Sequence, residues 1–313
     1  MTAPQGPIRG ILLKLASVVV FMVMSSLVKA VSDTVPPGET VFFRSAFATP
    51  VILLWIAVTP GEGLRSGLGT DNPLGHFWRG LMGTMAMGCG FAGLGLLPLP
   101  EVTALGYAAP LMTVIFAAMF LGEEVRAFRI FTVALGMAGV LVILSPRLTA
   151  FEDGTIAPAQ TLGAVLVLAG AVFAGLAQVF VRKLVAEEKT SSIVFWFSVN
   201  AALLSLVTLP YGWVWPAPVT LALLVVTGLL GGLGQVLLTS SYRHADASVI
   251  APFDYASMLL AIVIGYVVFD EAPTLVVLAG ATLVAAAGIL IIWRERRLGL
   301  ERADQRRAMT PQG

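Results

Sequence analysis

Residues Val102–Leu121 read VTALGYAAPLMTVIFAAMFL, and residues Ser248–Phe269 read SVIAPFDYASMLLAIVIGYVVF. Across both stretches the only charged side chain is Asp254. A helix of roughly 20 apolar residues crosses a bilayer core about 30 Å thick, so each stretch predicts a membrane span. The two also match internally. Each holds a tyrosine in its first half, Tyr107 and Tyr255, and each is followed by a glutamate, Glu123 and Glu271.

Eight further stretches have the same character. They are Ile8–Val31, Thr40–Val58, Phe77–Leu97, Phe128–Ser145, Leu162–Leu184, Ile193–Leu209, Thr220–Tyr242 and Thr274–Trp293. Turn chemistry separates them, as at Pro36-Pro37-Gly38, Thr59-Pro60-Gly61, Pro98-Leu99-Pro100 and Pro216-Ala217-Pro218. The composition agrees: 58% of the 313 residues are hydrophobic and 12% are charged, whereas about a quarter of a soluble domain is charged. Ten spans leave no room for a soluble domain, and the fold class expected is an all-α integral membrane protein. The first span is too long for a signal peptide and nine more follow it, so cleavage is not expected.

Basic residues set the expected orientation. With the N-terminus in the cytoplasm, only Lys29, Arg44 and Arg147 of the 19 basic residues fall on the outer side. Both termini are then cytoplasmic, as is the loop around Arg126–Arg129, and the loop Ser145–Gln160 faces outward. A bacterial-type inner membrane is the expected location.

The halves repeat. Gly10–Ala16 aligns with Gly163–Ala169, and the same offset pairs Lys29 with Arg182, Phe42 with Phe195 and Ser45 with Ser198. After a small shift, Gly80 pairs with Gly228, Gly83 with Gly231, Tyr107 with Tyr255 and Glu123 with Glu271. The repeats cover residues 8–145 and 162–293, with a cytoplasmic tail at 294–313. Five helices per repeat is an odd number, so the second repeat inserts upside down. Inverted repeats recur in secondary transporters, with the solute site near the midplane.

Four segments carry a family resemblance: Gly38–Arg44 (GETVFFR), His76–Gly80 (HFWRG), Pro100–Ala104 through Phe120–Glu123, and Asp246–Tyr255 (DASVIAPFDY). The chain resembles the drug/metabolite transporter superfamily, in the group built of two EamA domains. The resemblance implies a ten-helix carrier with a central cavity for small organic metabolites. The Ala-Pro-Phe-Asp-Tyr and Phe-Phe-Arg runs are most similar to the riboflavin and S-adenosylmethionine branch. The leading expectation is a secondary transporter of riboflavin or a similar planar, polar-edged solute. An S-adenosylmethionine carrier and an amino-acid or metabolite exporter are the alternatives, and a non-transporting membrane subunit is the alternative from a different class.

Charges inside spans are costly and mark candidate sites. Arg44 is a cavity or gating candidate, or else a structural partner of Glu39 or Glu101. Asp254 is a solute or proton-coupling candidate, or else half of an ion pair with Arg243 or with Arg79, itself a binding or gating candidate. Tyr107 and Tyr255 are candidates for stacking. Gln178, Asn200 and Gln235 are mid-span amides able to bridge helices or reach a ligand. Lys29 reads as interfacial, and Glu123, Glu124, Asp270 and Glu271 as solvated loop charge. Phe42, Phe43, Trp78, Phe91 and Phe253 lie with the tyrosines on helices that the family resemblance places around the cavity. The glycines of the third and eighth spans read as close helix packing, with a bendable gate as the alternative.

Other chemistries lack their residues. A net charge of +1 gives no field for nucleic acid. One cysteine and two histidines disfavour a metal site, and no cofactor is expected. No His-Glu-x-x-His motif or nucleotide loop is present, so neither an intramembrane protease nor an ATP-driven pump is expected. The expected partners are the solute and the lipid bilayer, and the oligomeric state is left open.

Overall fold

The computed structural model describes residues 7–59, 63, 67–121, 127–152, 158–185, 187–244 and 251–309. These residues are helical and contain no strand. The α-helices are α1 (Pro7–Val31), α2 (Pro37–Val58), α3 (Pro73–Leu96), α4 (Leu99–Gly106), α5 (Ala108–Leu121), α6 (Ala127–Glu152), α7 (Pro158–Leu184), α8 (Thr190–Ser205), α9 (Pro218–His244), α10 (Ala256–Phe269) and α11 (Leu275–Met309). Prolines open α2, α3, α7 and α9, where the first-turn N–H groups have no helical partner. Seven segments are long and apolar enough to cross a membrane, and Ile130–Pro146 and Phe253–Phe269 are shorter apolar helices. The glycine-rich α3, with 24 residues, has the length of a tenth span.

Two expected spans are interrupted, and at equivalent places. The fourth is split into α4 and α5 at Tyr107, where φ is −66° and ψ −6°. Pro110 supplies the cause: it lacks an N–H, and its ring crowds the carbonyl of Gly106, the last residue of α4. In the ninth, a 3₁₀ turn, Ala251–Tyr255, precedes α10 among the described residues. Tyr255 has φ −69° and ψ −13°, nearly the geometry of Tyr107. Here the Ser257 hydroxyl donates to the Asp254 carbonyl at 2.6 Å, drawing it out of the helical ladder.

The repeats exchange partners. The most extensive pairings are α3 on α7 and, equivalently, α1 on α9. The packing of α9 on α2 is likewise mirrored by that of α3 on α8, whereas α6 pairs with its own counterpart α11. Individual side chains follow the same symmetry. Gly228 sits against Phe47, and its counterpart Gly80 sits against Asn200; Gly231 sits against Arg44, and its counterpart Gly83 against Phe197. Phe47 and Asn200, like Arg44 and Phe197, are separated by the offset that pairs Ser45 with Ser198. Small residues let the backbones approach, since apolar side chains alone do not drive helices together in lipid. Gly139 and Gly280 do this reciprocally between α6 and α11: a methyl group on either would come within 2.8 Å of the other's carbonyl oxygen. Gly88 and Gly90 differ, having no such neighbour within 4 Å.

One detail departs from the sequence reading, and one was not anticipated by it. The expected loop Ser145–Gln160 is largely helix, because α6 continues through Pro146 to Glu152 and α7 begins at Pro158. Apolar periodicity ends at the bilayer edge, but helix formation does not have to. Glu188 is the second. It accepts hydrogen bonds from Thr70 Oγ1 and from the backbone N–H groups of Asp71 and Asn72, fastening the start of α3 to the second repeat. Burial pulls this carboxyl upward, but the hydrogen bonds outweigh burial and hold it below its ordinary value.

Candidate functional site

The helix breaks open a cavity of about 580 Å³, within the roughly 300–1,000 Å³ of small-molecule sites. It is lined by α1 (Val18, Phe21, Met22, Ser25), the Tyr107–Val114 segment, α7 (Ala174, Gln178, Arg182), the Asp254–Ser257 turn and α11 (Gly288, Ile292). Gln178 and Arg182 place it toward the C-terminal end of α7.

The two tyrosines meet at the head of this cavity. Their rings lie 4.9 Å apart, edge to face. Tyr107 Oη is 2.8 Å from Ser257 Oγ and donates weakly to the Tyr255 carbonyl at 3.4 Å. The Tyr255 hydroxyl occupies the space that a side chain at Gly288 would need. Asp254 pairs with Lys14 at 2.6 Å; Lys14 is 3% exposed and Asp254 50%. The lysine is thus buried behind the wall while the carboxylate faces the cavity. Gln178 and Arg182 present an amide and a cation from α7.

Beyond Ser25, toward the end of α1, an ion pair crosses the bundle. Lys29 Nζ donates to the carbonyls of Leu94 and Leu97 and pairs with Glu271 Oε1 at 2.9 Å. Glu271 Oε2 accepts from the Leu99 N–H at 2.8 Å. Asp270, left-handed at φ 56°, turns the chain between α10 and α11 and precedes this glutamate. One ion pair therefore joins the end of α1, the α3–α4 corner and the α10–α11 turn, among Val28, Leu97 and Leu99, each at most 2% exposed.

Of the sequence candidates, Tyr107, Gln178, Asp254 and Tyr255 share the cavity, and Arg44, Arg79, Asn200 and Gln235 do not line it. Asn200 donates to the His76 carbonyl at 3.1 Å, bridging α8 to α3. Gln235 is half-buried on α9. Several expected partners are corrected. Asp254 meets Lys14 rather than Arg79, which packs on Phe197; the side chain of Arg243 lies outside the described residues. Glu39 accepts from the Val214 N–H instead of pairing with Arg44. Glu271 is tied inward to Lys29 rather than solvated, while Glu123 and Glu124 lie outside the described residues. Phe42 and Phe43 pack with Trp213 and Phe47, Phe91 is buried in the core, and Trp78 is exposed, so these do not form an aromatic cage. Phe253 is half-buried and does not line the cavity either. Lys14, Arg182, Ser257 and Gly288 are site residues that the sequence reading passed over. The signal for Lys14 was present: it is a lysine well inside a span whose other charges, Arg9 and Lys29, lie near its ends.

The model of the EamA-like transporter family matches residues 8–145 and again 161–294. The chain belongs to this family. Similar transporters cover most of its length. A pseudopaline exporter from Pseudomonas aeruginosa strain UCBPP-PA14 is 32% identical over 90% of this chain and 95% of its own. An S-adenosylmethionine uptake transporter from Rickettsia bellii is 29% identical over 83% of this chain and 84% of its own. A riboflavin transporter from Rhizobium johnstonii is 28% identical over 84% of this chain and 83% of its own. A crystal structure 22% identical in sequence shares the fold with a TM-score of 0.64, covering 91% of this chain and 97% of that one. This EamA chain is therefore a multi-pass membrane protein of a family that transports small metabolites.

Proposed function

We propose that this protein is a secondary transporter working by alternating access, with the cavity between its repeats as the solute site. The observation that carries the reading is the asymmetry of that cavity. Gln178 and Arg182 line it toward the C-terminal end of α7, and beyond Ser25 the pair of Lys29 and Glu271 crosses the end of α1. Rocking one repeat against the other would break that pair and seal the first end. We place both termini in the cytoplasm of a bacterial inner membrane on the distribution of basic residues.

The lining favours a flat solute bearing both an acidic and a basic group. The tyrosine pair offers an aromatic edge for a planar ring, Asp254 an acceptor for a cation, and Arg182 and Gln178 donors for an acid. S-adenosylmethionine has this makeup. Riboflavin shares the planar ring but carries no charge at neutral pH, so the charged lining ranks it second. The test is flux of each radiolabelled compound into proteoliposomes. Uptake of S-adenosylmethionine above empty liposomes, lost in Asp254→Asn, supports the reading. Riboflavin flux without S-adenosylmethionine flux would reverse the ranking. Flux of neither, with a broader panel of zwitterionic metabolites also inert, would overturn the solute class.

A further inference from the structure

A second charged centre lies across α1 from the cavity. Arg44 reaches it from α2 and Arg79 from α3, and both guanidinium carbons lie within 5.6 Å of the Phe197 ring centroid on α8. Arg44 is only 5% exposed. Its Nε, and Nε and Nη1 of Arg79, are buried without a hydrogen-bond partner. Among the described residues, the carboxylates of Asp254 and Glu271 pair with Lys14 and Lys29, and none pairs with Arg44 or Arg79. Helix α1 stands between the two centres. Phe21 and Met22 face the cavity, whereas Met24 lies beside Gly231, next to Arg44.

A buried cation without a counter-charge is costly, and two that repel one another are costlier. The face of Phe197 offsets part of that cost, but it does not satisfy N–H groups directed away from the ring. Arginine cannot escape by losing its proton, and its planar fork of donors matches the oxygens of a carboxylate or phosphate. Glycines leave room for the forks. A methyl group at Gly83 would come within 2.8 Å of Arg79 Nη1, and one at Gly231 within 2.9 Å of Arg44 Nε. We propose that Arg44 and Arg79 form a binding site for an oxyanion, a carboxylate or a phosphate, between α2, α3, α8 and α9. Its source is either an acidic group on the solute, which rests on the transport reading, or a free inorganic anion, which does not.

The test is thermal unfolding of the purified full-length protein in detergent. Sodium acetate and sodium phosphate are titrated against sodium chloride at equal ionic strength. Wild type is expected to show a saturating rise in Tm of a few degrees with an oxyanion and not with chloride. Arg44→Gln and Arg79→Gln should each weaken the apparent affinity about ten- to hundredfold. A non-saturating rise shared by all three proteins is a general salt effect and overturns the site, as does a saturating rise that both variants retain. If a glutamine variant does not fold, Gly231→Ala takes its place, crowding Arg44 while keeping its charge; unchanged affinity there overturns the site. Competition with phosphate by S-adenosylmethionine, but not by its decarboxylated form, supports the site with the solute's acid as its occupant. Saturation by phosphate that neither compound disturbs supports it with an inorganic anion. Because binding is read without flux, failure of the transport assay leaves this result standing.

Discussion

Lys29–Glu271 and Arg44–Arg79 are both charge centres buried in the bundle, but only the first is internally neutral. In the first, an ammonium meets a carboxylate and two backbone carbonyls, and the carboxylate's other oxygen takes a backbone N–H. That centre is complete without a ligand, as suits a closure. In the second, two guanidiniums face one aromatic ring with donors left over. The difference separates charges that hold the fold from charges that wait for something else. It also sets the sign of what mutation does.

The largest effect belongs to the neutral centre. Glu271→Gln is expected to cost about 3 kcal/mol, because it leaves a mostly buried ammonium unmatched. Adding Lys29→Met should recover part of that loss, and strict additivity of the two changes in Tm would argue against their coupling. Asp254→Asn should cost less, about 1–2 kcal/mol, since its carboxylate is half exposed to the cavity and water screens the pair with Lys14. The same variant should lose solute flux, so stability and flux measured together separate the two roles. Tyr107→Phe removes the 2.8 Å contact with Ser257 and is expected to cost about 1 kcal/mol. Arg44→Met should change stability least, within about 0.5 kcal/mol or in the stabilising direction, because it removes a charge that no carboxylate among the described residues offsets. A loss as large as that of Glu271→Gln would mean that Arg44 has a counter-charge, and the contrast would collapse.

Much of this was legible in the sequence for a physical reason. Lipid forces every backbone group to bond internally, so span length and apolarity translate directly into helices, as in Ile8–Val31 against α1. The repeat was legible because glycines that permit close approach leave a pattern, Gly80 with Gly228 and Gly83 with Gly231. Tyr107 and Tyr255 stood out because they occupy one repeat position, and they meet because each sits at the break in its own span. The breaks were harder to read. Pro110 signals one, but the other comes from a serine bonding a carbonyl three residues back, which any serine can do. Charge pairing was hardest. Arg79 and Arg243 are at a plausible depth for Asp254, but depth along one axis does not say which helix is the neighbour. Helix α1 is that neighbour, so Lys14 is the partner.

The most direct test of the one-sided cavity is the accessibility of a cysteine placed in it. Ser25→Cys on a Cys89→Ala background puts a thiol on the α1 wall. Membrane vesicles of both orientations, their sidedness read from a tag on the C-terminus, are treated with an impermeant thiol reagent. The expected result is modification from the face that carries the termini and protection from the other. Adding Glu271→Gln, which opens the Lys29 closure, should bring modification from the second face as well. Equal modification from both faces in the parent, or no change when Glu271 is replaced, would contradict a cavity closed at one end by that ion pair.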